Sequence, residues 1–296
     1  FRRVLFRSPM EFRFAGRITG LHGGAQDWDK FLARHGCFRR TPSAPWVWNK
    51  ELSTLDQINM ALFPRRGARI RKEDLGEECP ETKIEVLTFD TEEAAEIEAM
   101  WRTTLQYFAN ERRRGTSEAT LRMQEMKAYQ KIWMTSELAL VPHIAERIIQ
   151  DIDEGRSVAA FMSFNASRLE LSKRFKTNAG FYGGQNPRQR AHWEAQFQAN
   201  REHLLVSNIK AGGASVSLHD LTGERPRTSY IFPTDRVVDM QQASGRVDRV
   251  GGKSLSLQFI PCFAGSVTEN MVHRTRTKML RIATLNNGSD GAKSAF

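Results

Sequence analysis

From Glu137 onward the sequence alternates helical stretches with short apolar runs, and this alternation constrains the fold more than any other feature of the chain. Residues 157–161, 204–206, 228–232 and 255–260 read as buried strands, with a further short strand at 180–182. A helix ending near 154 precedes them, and helices are expected over 166–175, 186–200 and 237–248. The second of these three opens on Asn186 as N-cap with Pro187 in the first turn, where a missing N–H costs nothing. Strands that lack a polar face, spaced by helices of this length, predict an α/β fold built on a parallel, doubly wound sheet covered on both faces. Sheets of this kind take their ligands at the carboxyl ends of the strands.

The preceding part reads as mainly helical. Phe12, Ala15 and Ile18 form a helical stripe, and residues 26–66 read as short helices separated by loops, with Trp28, Trp46 and Trp48 as packing anchors. Residues 84–89 alternate as a strand does, and 91–113 and 117–134 read as two helices, the first with Glu92 and Glu93 at its positive end. Arg112, Arg113 and Arg114 read as a solvated charge run, and Asp151-Ile152-Asp153-Glu154 as a solvated turn at a helix end. The first eight residues, Phe1-Arg2-Arg3-Val4-Leu5-Phe6-Arg7-Ser8, resemble a one-frame translation of a sequencing adapter. They lack the apolar core and small-residue cleavage site of a targeting peptide, so the natural chain is expected to begin upstream of Pro9.

No run approaches the ~18 consecutive apolar residues of a membrane helix. Cys37, Cys79 and Cys262 lie too far apart for a CxxC pair, and they read as reduced thiols of a cytoplasmic protein, in a bacterial or phage-infected cell. The seven histidines show no HxH or HExxH spacing, so no metal set is expected. Nor does a Gly-x-Ser-x-Gly elbow for serine hydrolase chemistry occur. The net charge of +10 is unevenly placed. Residues 9–155 carry 21 basic and 24 acidic side chains, residues 156–296 carry 20 and 10. A basic half of this kind attracts polyanions, and nucleic acid is the first partner to consider.

Two segments in that half carry chemistry. After Val206 the chain reads Ser207-Asn208-Ile209-Lys210-Ala211-Gly212-Gly213, a glycine pair past a buried strand that lets backbone N–H groups approach an anion, with Lys210 adding charge. Further on, Gln242, Arg246 and Arg249 stand at i, i+4 and i+7 and share one helix face, with Gly245 keeping the backbone accessible. Two guanidiniums and an amide presented together suit bidentate phosphate recognition. A salt-bridged surface helix using Asp239 and Asp248 explains the same pattern equally well.

The order of these segments resembles superfamily 2 helicases, most closely the Swi/Snf-like branch. Gln242-x-x-Gly245-Arg246-x-x-Arg249 is similar to motif VI, and Lys210-Ala211-Gly212-Gly213 to motif V. Ser157-Val158-Ala159-Ala160-Phe161-Met162-Ser163-Phe164 resembles motif IV, Tyr182-Gly183-Gly184 stands at the family's short strand and glycine turn, and 266–278 resembles its closing helix. Upstream, Ser8-Pro9-Met10-Glu11-Phe12 resembles the stretch after motif III, and Arg69-Ile70-Arg71-Lys72-Glu73-Asp74-Leu75 the lobe-crossing segment. Ser217-Leu218-His219-Asp220 before Arg225-Pro226-Arg227 is similar to phage and plasmid helicases. The chain departs from the Swi/Snf pattern at Asp248, where that branch has His, and at Gly252, where it has Gln.

The resemblance implies a RecA-like second lobe over 137–285, preceded by the tail of the first lobe and the lobe-crossing segment (9–80) and by a strand and helical connector (81–136), with a tail at 286–296. Arg246 and Arg249 would act as arginine fingers on ATP, with Gln242 beside the γ-phosphate. Gly212, Gly213 and Gly245 would line the nucleotide, and Ser163, Phe164 and Lys210 would contact the nucleic acid, DNA ahead of RNA. ATP and Mg2+ would be held mainly by a first lobe, because the chain has neither a GxxxxGK[ST] loop nor an acidic Walker B strand. Gly251-Gly252-Lys253-Ser254 is a decoy, with Val247 at the position of the first glycine and a strand following the lysine. The expected protein is thus the C-terminal part of an ATP-dependent helicase or translocase, inactive alone. The alternative is a stand-alone, non-catalytic module that binds nucleic acid through a helicase-like lobe.

Overall fold

Five parallel strands form one sheet in the computed structural model, which describes residues 8–63, 65–66, 82–213 and 216–293. Arg69 to Leu75, Cys79 and all but Ser8 of the adapter-like stretch lie outside these residues. The strands are β3 (Thr82–Phe89), β4 (Ser157–Met162), β5 (Leu204–Asn208), β6 (Arg227–Ile231) and β7 (Ser256–Phe263), in the order β3-β7-β6-β4-β5. A two-residue hairpin, β1 (Cys37–Phe38) with β2 (Val47–Trp48), precedes them and is antiparallel. The helices are α1 (Arg13–Ile18), α2 (Ala25–Arg34), α3 (Leu52–Leu62), α4 (Glu92–Arg113), α5 (Glu118–Asp153), α6 (Asn165–Arg174), α7 (Pro187–Gln198), α8 (Ile209–Gly212), α9 (Val237–Val247) and α10 (Val267–Lys293). Two compact units result, Glu77–Thr275 around the sheet and a smaller one of Phe1–Gly76 with Arg276–Phe296.

Strand β4 shows why the sheet is doubly wound. All six of its residues are buried. Val158, Ala160 and Met162 pack on one face with Leu140, Val141, Ile144 and Ile148 of α5, while Ala159 and Phe161 pack on the other with Phe197 of α7 and Met240, Ala243 and Val247 of α9. Strands β5, β6 and β7 divide their apolar residues between the same two clusters. Burial on both faces is what replaces alternation by a continuous apolar run, and each fully buried Val or Phe contributes about 1.5–3 kcal/mol. The expected α/β fold, a parallel sheet with helices on both faces, is therefore present.

Several local expectations are corrected. Residues 180–182 form no strand; 179–181 instead run beside β5, the carbonyls of Ala179 and Phe181 accepting from Val206 N–H at 2.9 Å and Asn208 N–H at 2.8 Å. The helices expected to end at 134 and near 154 are one 36-residue helix, α5, continuous through Pro142. Within 26–66, where helices and loops were expected, β1 and β2 also pair. Asp151 is not solvated: it is 6% exposed and accepts from the Tyr230 hydroxyl at 2.6 Å and from Thr228 Oγ1 at 3.3 Å. The units also divide differently from the sequence boundaries, since β3 and α4 lie with the sheet and 276–285 with the smaller unit.

In the smaller unit Phe12, Phe31, Leu32, Trp48, Leu55, Ile58 and Leu285 form the core. Asn59 Nδ2 donates to the Leu285 carbonyl at 2.6 Å, and the Arg281 guanidinium lies over the Trp48 ring. Trp28 and Trp46 pack half-buried against this core, as the anchoring role requires.

Candidate functional site

The connections fix where a ligand can sit. From β4 the chain moves out to β5, and from β6 it moves the other way to β7, so the direction of winding reverses between the neighbours β4 and β6. The crevice outside the carboxyl ends of strands at such a reversal is where open α/β sheets bind ligands. Ser163 and Phe164 follow β4 there, and α8 follows β5 directly. Because Met162 pairs with Asn208, these two sequels leave the sheet side by side. All nine residues singled out from the sequence belong to the larger unit.

Gly212 and Gly213 are glycines for reasons of packing. A Cβ on Gly212 would stand 2.9 Å from both the Phe161 ring and Ser207 Cβ. One on Gly213 would stand 2.5 Å from the Ile209 carbonyl oxygen, with Asp239 O and Ala243 N of α9 at 3.5 and 3.6 Å. The glycine pair thus lets α8 lie close over β4 and against α9. Two arginines clamp this loop: Arg190 of α7 donates to the Ala211 carbonyl at 2.5 Å, and Arg246 of α9 donates through Nη2 to the Gly213 carbonyl at 2.6 Å. Arg246 Nη1 also donates to Val216 O at 3.2 Å, and Leu218 N–H returns a bond to the Arg246 carbonyl at 2.9 Å. Arg249 donates through Nη1 to Ser217 Oγ and through Nε to the Gly245 carbonyl at 3.2 Å.

The structure therefore brings Gly212, Gly213, Gly245, Arg246 and Arg249 together through bonds to Gly213, Val216 and Ser217, although Arg249 lies beyond the end of α9 at Val247 and not on the helix face expected for it, because Asp248 is extended. Gln242 lies exposed one turn before Arg246, and Lys210 is exposed on α8. Ser163 and Phe164 are held from another direction. Glu137 of α5 is 5% exposed, and its carboxylate accepts from Ser163 N–H at 3.0 and 3.1 Å and from Phe164 N–H at 2.9 Å. Burial pushes the Glu137 carboxyl up to about 7, against these backbone N–H bonds, which favour the ionised form.

Glu137, Arg190 and Ser217 were not among the sequence candidates. A lone Glu inside an amphipathic helix gives no signal of its own, and the partners of Arg190 and Ser217 lie 21 and 32 residues away. The charge run at Arg112 to Arg114 forms surface ion pairs, Arg112 with Glu125 and Glu118, and Arg114 with Glu111 at 2.9 Å. In the decoy, Lys253 N–H donates to Asp220 O at 2.9 Å and Ser254 Oγ to Asp220 Oδ2 at 2.7 Å, and β7 follows. Among the described residues no helix is long and apolar enough to cross a membrane.

No protein-family model matches the chain. Among solved structures, the C-terminal part of the Fun30 ATPase domain aligns with a TM-score of 0.37 and 19% identity, over 48% of this chain and 46% of that one. The chain is 30% identical over 222 residues to a protein of Acanthamoeba polyphaga mimivirus named "Putative ATP-dependent RNA helicase L364". That match takes in 75% of the chain and 41% of the viral protein, so the chain spans about two fifths of its relative. Over three quarters of its length, then, the chain is similar to a protein named as an ATP-dependent helicase.

Proposed function

We propose that the chain is the second RecA-like lobe of an ATP-dependent helicase or translocase of the Swi/Snf-like branch, from a phage or plasmid, whose P-loop lobe precedes it. The observation that carries this reading is the mutual engagement of the two motif-like segments: Arg246 and Arg249 hydrogen-bond residues at the end of the Gly212-Gly213 loop. Coupling of this kind lets a change at the arginines be felt at α8 and Lys210, where nucleic acid would lie. The similarity to the viral protein supports the same reading.

The residues present fit a triphosphate presented by another lobe. Arg249 uses Nε and one Nη within the lobe, leaving the donors of its second Nη, and Gln242 is exposed on α9. Two of the five N–H donors of Arg246, one on each Nη, serve the Val216 and Gly213 carbonyls and hold its guanidinium against the loop. Bound ATP with Mg2+ would supply the phosphoryl group and its electrophilic activation. Arg249 would then neutralise charge on the phosphate, Arg246 would tie its position to the loop, and Lys210 with Ser163 and Phe164 would contact the strand, DNA ahead of RNA.

The test is nucleic-acid-stimulated ATP hydrolysis by the complete protein. Arginine fingers are worth about 10³–10⁵ in rate, so Arg249→Ala is expected to lose at least about a thousandfold while still binding nucleic acid. Near-normal turnover removes the motor. Sequencing upstream of the codon for Pro9 is expected to reveal a P-loop and an acidic Walker B strand. One observation favours the second reading, a non-catalytic binding module: the bonds of Arg246 and Arg249 within the lobe give both a structural role that needs no nucleotide.

A further inference from the structure

A groove of about 610 Å³ opens where the segment following α6 meets the first turns of α7. Tyr182 and Trp193 form half-buried aromatic walls, and Asn178, Arg188, Gln189 and His192 stand exposed around them. The walls are fixed before any ligand arrives. The Arg168 guanidinium lies 4.3 Å from the Tyr182 ring centroid. Tyr182 N–H donates to Gln185 Oε1 at 3.0 Å, and Gln185 Nε2 donates to the Gly180 carbonyl at 3.0 Å, so the loop closes on its own amide. Trp193 packs against the apolar cluster beneath α7, and the His192 ring stands 4.9 Å from it at 66°.

The chemistry of these walls selects a ligand. Flat aromatic faces take a flat π system, amides and an imidazole at the rim can bond its polar edge, and Arg188 adds a cation, with no carboxylate among the lining residues. A nucleobase on its phosphodiester has all three features. Such a base must be unstacked to enter, which single strands allow and duplexes resist. The half of the chain that holds the groove carries 20 basic and 10 acidic side chains, which complements a polyanion. The groove also lies where a strand held at α8 would pass, since Phe181, just before Tyr182, is bonded to Asn208 at the end of β5.

We propose that this groove binds an unstacked base of a single-stranded nucleic acid, the base lying on Tyr182 or Trp193 and its phosphate on Arg188. The proposal rests on the reading of the chain as a nucleic-acid binder and adds a contact to bases to those made with the backbone.

The 296-residue chain is titrated, by fluorescence anisotropy at several salt concentrations, with a labelled oligo-deoxythymidine of about 15 nucleotides and with an abasic strand of the same length and charge. The expected result is binding of the thymidine strand about tenfold tighter than the abasic one, the scale of one base–aromatic stack. Tyr182→Ala is expected to abolish that preference without changing the salt slope, and Tyr182→Phe to keep it. The comparison of the two strands on the unsubstituted chain needs no variant to fold. Equal affinity for both strands, each with a steep salt slope, overturns the groove and leaves nucleic-acid binding standing. Thymidine monophosphate binding as tightly as the strand overturns it too, and failure of both strands to bind removes the underlying reading as well.

Discussion

The carboxylate of Glu137 accepts the backbone N–H of Ser163 with both oxygens, at 3.0 and 3.1 Å, and so fixes the turn that leaves β4 for α6 from a helix 26 residues earlier in sequence. The relationship sets two effects against each other. Hydrogen bonds from Ser163 and Phe164 favour the ionised carboxylate, whereas burial favours the neutral acid, and burial wins, raising the group from an ordinary 4.5 to about 7.

A pH dependence follows from that balance. Between about 4.5 and 7 the folded protein holds a proton on Glu137 that the unfolded chain has released, so the associated stability is complete below about 4.5 and is lost as pH rises through about 7. Chemical denaturation of the chain and of Glu137→Gln at a series of pH values is the measurement. The unsubstituted chain is expected to lose stability relative to Glu137→Gln as pH rises from about 5 to about 8. Parallel curves for the two proteins would show that the carboxyl titrates normally.

Arg246 has a structural consequence separable from turnover. Removing its guanidinium leaves the Gly213 and Val216 carbonyls without these donors, and an unsatisfied buried acceptor costs about 1–3 kcal/mol. Arg246→Ala is expected to lower the stability of the isolated chain by about 2 kcal/mol. Arg246→Lys, with a single ammonium in place of a planar fork, is expected to recover only part of this. Denaturant midpoints of the three proteins read the effect, and an unchanged midpoint for Arg246→Ala would mean that the bonds to the loop are not stabilising.

What was legible in the sequence follows the physics of burial. Strands β4, β5, β6 and β7 announce themselves because both faces are covered, so their sequences need no polar residues, and Asn186-Pro187 marks the start of α7 through a local capping rule. Glu137 stayed hidden because its partners are backbone N–H groups of another element, which leave no trace in residue types. Asp151 misled for the related reason that its neighbours Asp153 and Glu154 are exposed or nearly so, while its own partners lie on β6, 77 and 79 residues on. The arginine pattern was legible as a helix face only as far as Arg246, because α9 ends at Val247 and the extended Asp248 carries Arg249 off the helix; the engagement with Gly213, Val216 and Ser217 depends on α8 packing against α9, which only the glycine contacts reveal. Residues 180–182 have the composition of a strand and run beside β5, yet their pairing stops at two bonds because Gly183 and Gly184 turn the chain away.

Neighbouring glycines in that stretch are expected to respond differently to alanine. Gly180 has φ +149°, and a Cβ there would stand 2.0 Å from the Val206 carbonyl oxygen, backbone against backbone. Gly183 has nothing within 4 Å of such an atom and no positive φ. Gly180→Ala is therefore expected to cost about 3 kcal/mol, with loss of the edge pairing to β5, and Gly183→Ala to stay within about 0.5 kcal/mol. Thermal denaturation of both variants checks the contrast, and equal effects would contradict the close approach of 179–181 to β5.

Salt dependence separates phosphate contacts from every other source of affinity. Each phosphate neutralised on a single strand releases condensed counterions and contributes about 0.7 to the slope of log affinity against log salt. Lys210 is exposed on α8 immediately beyond β5, and its replacement removes a charge without disturbing the packing made by Ile209 and Gly212 beside it. Lys210→Ala is expected to weaken binding of a single strand uniformly across sequences and to lower the slope by about 0.7. Isotherms at four or more salt concentrations measure it. An unchanged slope would place the strand away from α8, and the coupling from the arginines through Gly213 would then have no nucleic acid to act upon.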